Sequence, residues 1–341
     1  MNSDAWRLLA LLLCAMADRA ALAMECLPAT PVSITVSIDS TSTAPAQAML
    51  EGGTSPPLRI VGRDSGEQLW SAGATPPVVQ QIETMNAAFA GSFTPLDIDN
   101  DGVHDRIYAG DLAGRLWRFD LHHGAGAAHW ASASVFADFS NAVGRGFLAP
   151  PDVSLATDGE RAWLNIAIGT ASPGNATANN RYYVLRDYSP FENWTDREHL
   201  AWNALREDDL LRIADPREAP DGDLRNGYFI ELGGGQVIAP SLTVSGRAVL
   251  AVADALPTGA SCQVAISIAA LDLQHAVVEG TAEADVDGWL RRLPVPIPAN
   301  TGFALSEVGG TAQCTLGSQH ITACDVDTRP VKTWWRRGDA E

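Results

Sequence analysis

The sequence predicts an all-β fold, and three observations carry that reading. Glycine and proline are frequent, at 30 and 20 of 341 residues, which supplies turns at close intervals. Short apolar runs bounded by such turns recur near residues 59–71, 107–121, 163–187 and 228–273. Apolar residues at helical heptad spacing are scarce. A chain of this length buries a sizeable core in one or two domains.

Taken in order, residues 1–23 read as an export signal. Arg7 precedes an apolar run from Leu8 to Ala17, and Ala21-Leu22-Ala23 offers a small-x-small cleavage site before Met24. Ten apolar residues fall short of the roughly 20 that cross a bilayer as a helix, and no other segment approaches that length. The same stretch also fits an upstream strand behind a misassigned start. Residues 24–56 are rich in Ser, Thr, Pro and Ala; Val32 to Ile38 alternates as a half-buried strand does, and the remainder reads as linker. Residues 57–275 hold the four strand-turn-strand units, whose spacing widens from about 50 to about 80 residues, a degenerate repeat with insertions. One insertion reads as a short helix: Thr195-Asp196-Arg197-Glu198 is a capping box, partial helical spacing continues to Ile213, and Asp215-Pro216 stops it. Residues 276–341 form a C-terminal tail with strand signals and an aromatic, basic end.

The densest chemistry lies at Asp97-Ile98-Asp99-Asn100-Asp101-Gly102-Val103-His104-Asp105. Carboxylates stand at loop positions 1, 3, 5 and 9 and a glycine at position 6, as in the front of a helix-loop-helix calcium loop. A hard cation wants six to eight oxygens, and alternate residues of a tight loop can point inward together. The predicted ligands are Asp97, Asp99, Asp101, Asp105 and the carbonyl of Val103, with Ca2+ as the ion. Magnesium suits so many carboxylates less well. Position 12 is Tyr108 in place of a bidentate Glu, and the next residues read as a hairpin: a strand from Ile107, a turn at Gly110 to Gly114, and a strand from Leu116. A polar Asx-turn loop without metal uses the same residue types.

Composition excludes some partners. A net charge of −18 repels phosphate backbones and anionic lipid, so nucleic acid is not expected. Once Cys14 leaves with the signal, four cysteines remain. Cys314 and Cys324 enclose nine residues, a span suited to a hairpin-closing disulfide, which leaves Cys26 with Cys262. No CxxC supports zinc or redox chemistry. His122, His123 and His129 have no fourth ligand at sensible spacing and fit a solvated loop better than a metal site. Arg337-Gly338-Asp339 spells the tripeptide that integrins read, a match short enough to arise by chance, and Trp334 and Trp335 fit packing roles. GxSxG, HExxH and P-loop signatures are absent, so the chain is not expected to be an enzyme.

The string PLDIDNDGVHDRIYAGDLAGRLWRFDL, residues 95–121, resembles the calcium-binding signature in the C-terminal propeller of the PilY family of type IV pilus biogenesis factors and tip adhesins. RIVGRDSGEQLWS from Arg59, AWLNIAIGTA with RYYVLRD from Arg181, NGYFIEL with GQVIAPSLTVSGRAVLAVADALPTGASC up to Cys262, and TWWRR from Thr333 resemble further family segments in the same order. The resemblance covers about residues 57 to 337, without the family's large N-terminal region or early blades. It implies a partial or degenerate β-propeller of about four recognisable blades with one inserted helix. It also implies calcium binding and a role in pilus biogenesis, surface adhesion and twitching motility. The implied partners are minor pilins or other pilus components, with a host or abiotic surface as a further target. The implied location is the periplasm, cell surface or pilus tip of a Gram-negative bacterium. Quinone-dependent alcohol dehydrogenases are also calcium-using propellers, but their tryptophan-docking repeats and vicinal cysteines are not visible here. Four blades make an incomplete ring. Its own terminal strands or a second chain would complete it, unless the gene is a fragment of a longer one.

Overall fold

The computed structural model describes residues 32–39, 46–52, 58–91, 93–122, 129–141, 145–172, 179–255, 262–278, 289–294, 296–298, 301–308 and 311–327. Among these, the elements are strands apart from one short α-helix, α1 (Asp196–Ala201), and a 3-10 turn, Glu207–Asp209.

Among the described residues the strands form six sheets: five follow one another in chain order, and a two-stranded one pairs Gln263–Val264 with Ile297–Pro298. The first runs Val32–Asp39, Ala46–Gly52, Leu58–Gly62, Gln68–Gly73, Gln80–Gln81, so the segment read as linker contributes a strand. The second is an antiparallel meander of Thr94–Leu96, Arg106–Gly110, Arg115–Leu121 and Ala131–Asp138. The third orders Asp152–Thr157, Ala162–Gly169, Asn180–Asp187, Gly227–Gly233 and Leu211–Ile213. The fourth is built on Leu242–Val244, Arg247–Ala253 and Ile266–Asp272. The fifth, from the tail, is Phe303–Val308, Thr311–Leu316 and Gln319–Asp327.

The central strands are apolar at successive positions because both of their faces are covered. Ile107 and Ala109 enter a core shared with Leu58, Ile60 and Trp70 of the first sheet. Tyr108, between them, enters the next core with Ile166, Ile168, Tyr183 and Leu185 of the third sheet. Ala167, Tyr182 and Val184 then face Ala248, Leu250 and Val252 of the fourth. Val249, Ala251 and Ala253 face Cys314, Leu316 and Ile321 of the fifth. A strand's side chains alternate between faces, so each strand supplies two cores. Each fully buried Val, Leu or Ile among them contributes about 1.5–3 kcal/mol. Four interfaces therefore stack five sheets blade against blade, and among the described residues no core cluster joins the fifth sheet back to the first.

Two boundaries differ from the sequence reading. The strand Gly227–Gly233 pairs with Asn180–Asp187, so it completes the third sheet and does not open a fourth unit at 228. Gly227 fits there because its φ is +110° and a Cβ would lie 2.0 Å from the Val184 carbonyl oxygen. Helix α1 has the expected capping box, with Thr195 Oγ1 accepting from Glu198 N, but it ends at Ala201 and not near Ile213. Pairing with the second sheet draws the chain out of the helix. Trp202 stacks on Phe136 at 5.2 Å and donates Nε1–H to its carbonyl at 3.0 Å, and Leu205 N donates to the same carbonyl at 3.0 Å.

Candidate metal centre

The acidic loop is the hairpin connection between Thr94–Leu96 and Arg106–Gly110. Asp105 N donates to the Leu96 carbonyl at 2.8 Å, and the Asp105 carbonyl accepts from Leu121 N at 2.8 Å, so two neighbouring strands fix the loop's far end. Inside it, Asn100 and Gly102 take φ of +61° and +90°, the left-handed turns that Asn and Gly tolerate best. Backbone N–H groups point at the acids. Asp97 accepts from Asp101 N at 3.1 Å and from Gly102 N at 2.9 Å, and Asp105 Oδ2 accepts from Ile98 N at 2.7 Å.

Asp97, Asp99 and Asp105 are brought together, with one carboxylate oxygen from each within 4.8 Å of the others. Calcium sits about 2.3–2.6 Å from its oxygens, so one ion can touch three oxygens at such separations. Each carboxylate has about four acceptor sites, and the backbone bonds leave lone pairs for a cation. The donor set therefore fits a hard divalent ion. Asp101 is exposed and outside that group; its Oδ1 accepts from Val103 N at 2.8 Å. The Val103 side chain is buried.

One residue beyond the loop, the chemistry inverts. Arg106, Arg118, Asp120 and Asp187 are buried together between the second and third sheets, two cations against two anions. Arg118 grips Asp120 with Nε at 2.7 Å and Nη2 at 3.0 Å and reaches Asp187 Oδ2 with Nη1 at 2.7 Å. Arg106 Nε donates to Asp120 Oδ1 at 2.9 Å, and its other nitrogens donate to the carbonyls of Ser189, at 2.8 Å, and Glu192. Burial alone pushes the Asp120 carboxyl up; the approach of His199, the Arg118 hydrogen bonds and the charges of Arg118 and Arg106 outweigh it and leave Asp120 well below the usual carboxylate range. Burial and the facing Asp187 push the Tyr108 phenol well up, and it donates to Asp187 Oδ2 as a neutral hydroxyl. His199 joins Asp120, at 3.0 Å from Nε2, to Ser134 Oγ, at 2.7 Å from Nδ1. That order of residues is a triad's, but Asp120 is already gripped by two guanidinium groups, and the Ser134–His199 bond fastens α1 to the second sheet.

A contrasting carboxylate is Asp152, set between the third and fourth sheets. It accepts from Thr243 Oγ1 at 2.6 Å, and burial, partly offset by the Thr243 and Ser241 hydroxyls, pushes it up to about 6.

The other residues singled out by the sequence are more scattered. Cys262 and Cys314 are both disulfide-bonded, and both pack in the core between the fourth and fifth sheets. Their expected partners Cys26 and Cys324 lie outside the residues whose side chains are described, as do Cys14, the signal segment, His123, Trp334, Trp335 and Arg337 to Asp339. His122 Nε2 lies 2.8 Å from Ser132 Oγ, and exposed His129 lies 3.4 Å from Asp196.

No protein-family model matches the chain. Over 89 residues it is 32% identical to a type IV pilus biogenesis factor PilY1 homolog of Xylella fastidiosa (strain Temecula1). The fold is similar to the crystal structure of the Pseudomonas aeruginosa PilY1 C-terminal domain, with a TM-score of 0.62 over 88% of this chain and 73% of that one, at 14% identity. Sequence and fold together support a PilY-family C-terminal region. The aligned part is 26% of this chain and only 7% of the PilY1 homolog's length. A quinohemoprotein alcohol dehydrogenase from Comamonas testosteroni has a TM-score of 0.36 over 92% of this chain and 46% of its own, at 14% identity, which is too low to bear on function. Among the described residues no helix is long and apolar enough to cross a membrane.

Proposed function

We propose that this chain is an exported, non-enzymatic, calcium-binding propeller component of a type IV pilus system, acting in pilus biogenesis, surface adhesion and twitching motility. The observation that carries the reading is the convergence of Asp97, Asp99 and Asp105 in a hairpin loop of a PilY-like sheet. Bound calcium would neutralise crowded acids and hold the loop's two ends together. Asp97, Asp99 and Asp105 would supply side-chain oxygens, and Asp101 and the Val103 carbonyl are the further candidates. Minor pilins or other pilus components are the proposed partners, at the periplasm, cell surface or pilus tip.

Calorimetric titration of chelator-stripped protein tests the metal reading. One saturable calcium site, lost in Asp97→Ala and Asp105→Ala, is the expected result; no heat of binding and no thermal shift would end it. Twitching of a deletion strain carrying the parent gene or the Asp105→Ala gene tests the pilus reading separately. Equal twitching with and without the parent gene would refute that part.

A further inference from the structure

The segment after Asn180–Asp187 is a bend and turn, Tyr188-Ser189-Pro190-Phe191-Glu192. Phe191 is 61% exposed and Tyr188 38% exposed, in a protein whose aromatic residues are mostly buried. With Arg161 they line an open cleft of about 510 Å³.

Two features separate this lip from a loose loop. Its backbone is anchored in the buried charge cluster: the Ser189 and Glu192 carbonyls accept from Arg106, the Glu192 carbonyl accepts from Arg118 at 2.7 Å, and Ser189 N donates to Asp187 at 2.8 Å. Its aromatic face is stacked in place as well. Tyr188 leans on Trp163 with ring centres 5.9 Å apart, Arg161 lies over the Tyr188 ring at 5.7 Å, and Arg186 lies over Trp163 at 5.0 Å. Tyr188, held in this way beside exposed Phe191, has already lost part of the freedom that binding would otherwise cost it. Aromatic and arginine side chains are the types that dominate protein–protein hot spots.

The rim decides what kind of partner fits. Glu192 lines the cleft with Arg161, whose guanidinium already reaches Asp158 at 3.4 Å, and Asp158 and Glu160 are exposed on the turn just before Arg161. The whole chain carries −18. This field attracts cations and repels phosphate or anionic lipid. We infer that the Tyr188–Glu192 lip is a docking surface for a protein segment that inserts an apolar side chain beside Phe191 and flanks it with Lys or Arg. This surface is separate from the metal site and does not depend on the pilus reading.

Random peptides displayed on phage and panned against the immobilised full chain test it, with a Phe191→Ser chain as counter-target. The expected consensus is a large apolar residue flanked by Lys or Arg. Its affinity should fall with rising ionic strength and by about tenfold or more in Phe191→Ser. Because Phe191 is exposed, that variant should melt with the parent; Glu192→Lys probes the same face without touching an aromatic and should also weaken the basic peptides. No enrichment over the bare support overturns the proposal. So does an acidic or uncharged consensus, a pool that binds the Phe191→Ser chain equally, or a panel of neutral glycans bound through Phe191 in place of peptides.

Discussion

Two clusters of acids meet at the peptide bond between Asp105 and Arg106, and they solve opposite problems. Asp120 and Asp187 are buried, and the fold supplies their counter-charges from Arg106 and Arg118. Asp97, Asp99 and Asp105 lie in a partly exposed loop, where backbone N–H groups donate to Asp97 and Asp105. A buried carboxylate must carry its cation with it, because taking an unpaired charge out of water costs several kcal/mol. An exposed one can take an ion from solution. The same residue type thus serves as a rivet in one place and, in the function proposed above, as a donor for a free ion in the other, with burial as the deciding variable.

The largest effect expected from this contrast comes from breaking the internal cluster. Arg118→Met leaves Asp120 and Asp187 short of a partner and should cost about 3–5 kcal/mol in urea unfolding. A loss under about 1 kcal/mol would mean that water reaches the cluster. Next, saturating calcium should raise the unfolding free energy by about 2.7 kcal/mol at a hundredfold excess over Kd. Asp97→Ala and Asp105→Ala should erase that gain, and Asp101→Ala should reduce it less, since Asp101 stands outside the converging group. Equal losses in all three would place Asp101 among the ligands.

Asp152 sharpens the comparison as a set-in acid with hydroxyl partners and no guanidinium among the causes of its shift. Its carboxyl, raised to about 6 from 3.8, prefers the protonated form in the folded state. The folded protein therefore holds that proton where the unfolded chain has released it, and stability falls as pH rises from about 4 through about 6. Asp152→Asn should remove this slope and stabilise the protein at neutral pH by on the order of 2 kcal/mol. An unchanged pH profile in thermal melts would show the carboxylate to be well solvated. The smallest effect belongs to the surface: Thr195→Ala removes the α1 cap and should cost about 1 kcal/mol by the same urea assay.

Only one side of this contrast is legible in the sequence. The acidic loop stands out because its acids are close together along the chain. The buried cluster does not, since Arg118 and Asp120 look like ordinary polar positions in Leu116 to Leu121. Yet they are two residues apart on one strand face, and Arg106 stands opposite Asp120 in register. Charges of both signs on one face of an otherwise apolar hairpin are the signal that could reveal it. Local pattern misdivides the third sheet because the segment carrying the lip, α1 and the 3-10 turn separates two strands that pair, and local pattern says nothing about pairing across such a gap. The phrases Leu148-Ala149-Pro150 and Ile238-Ala239-Pro240, each just before the first strand of the third or fourth sheet, mark the true repeat boundaries. The capping box fixes where α1 begins; its end is set by Trp202 and Leu205 binding the second sheet, a tertiary contact that overrides helical spacing.

The two-sided burial of the central strands also sets a rule for how this chain can change length. A residue gained or lost inside Ala162–Gly169 or Arg247–Ala253 would turn every later side chain of that strand to the opposite face. Two adjoining cores would then be scrambled at once, even though nearly every residue involved is apolar. A residue gained in a connection between strands disturbs neither core. These sheets therefore have a reading frame, enforced by packing, and length variation is confined to the connections, such as the one that carries the lip and α1.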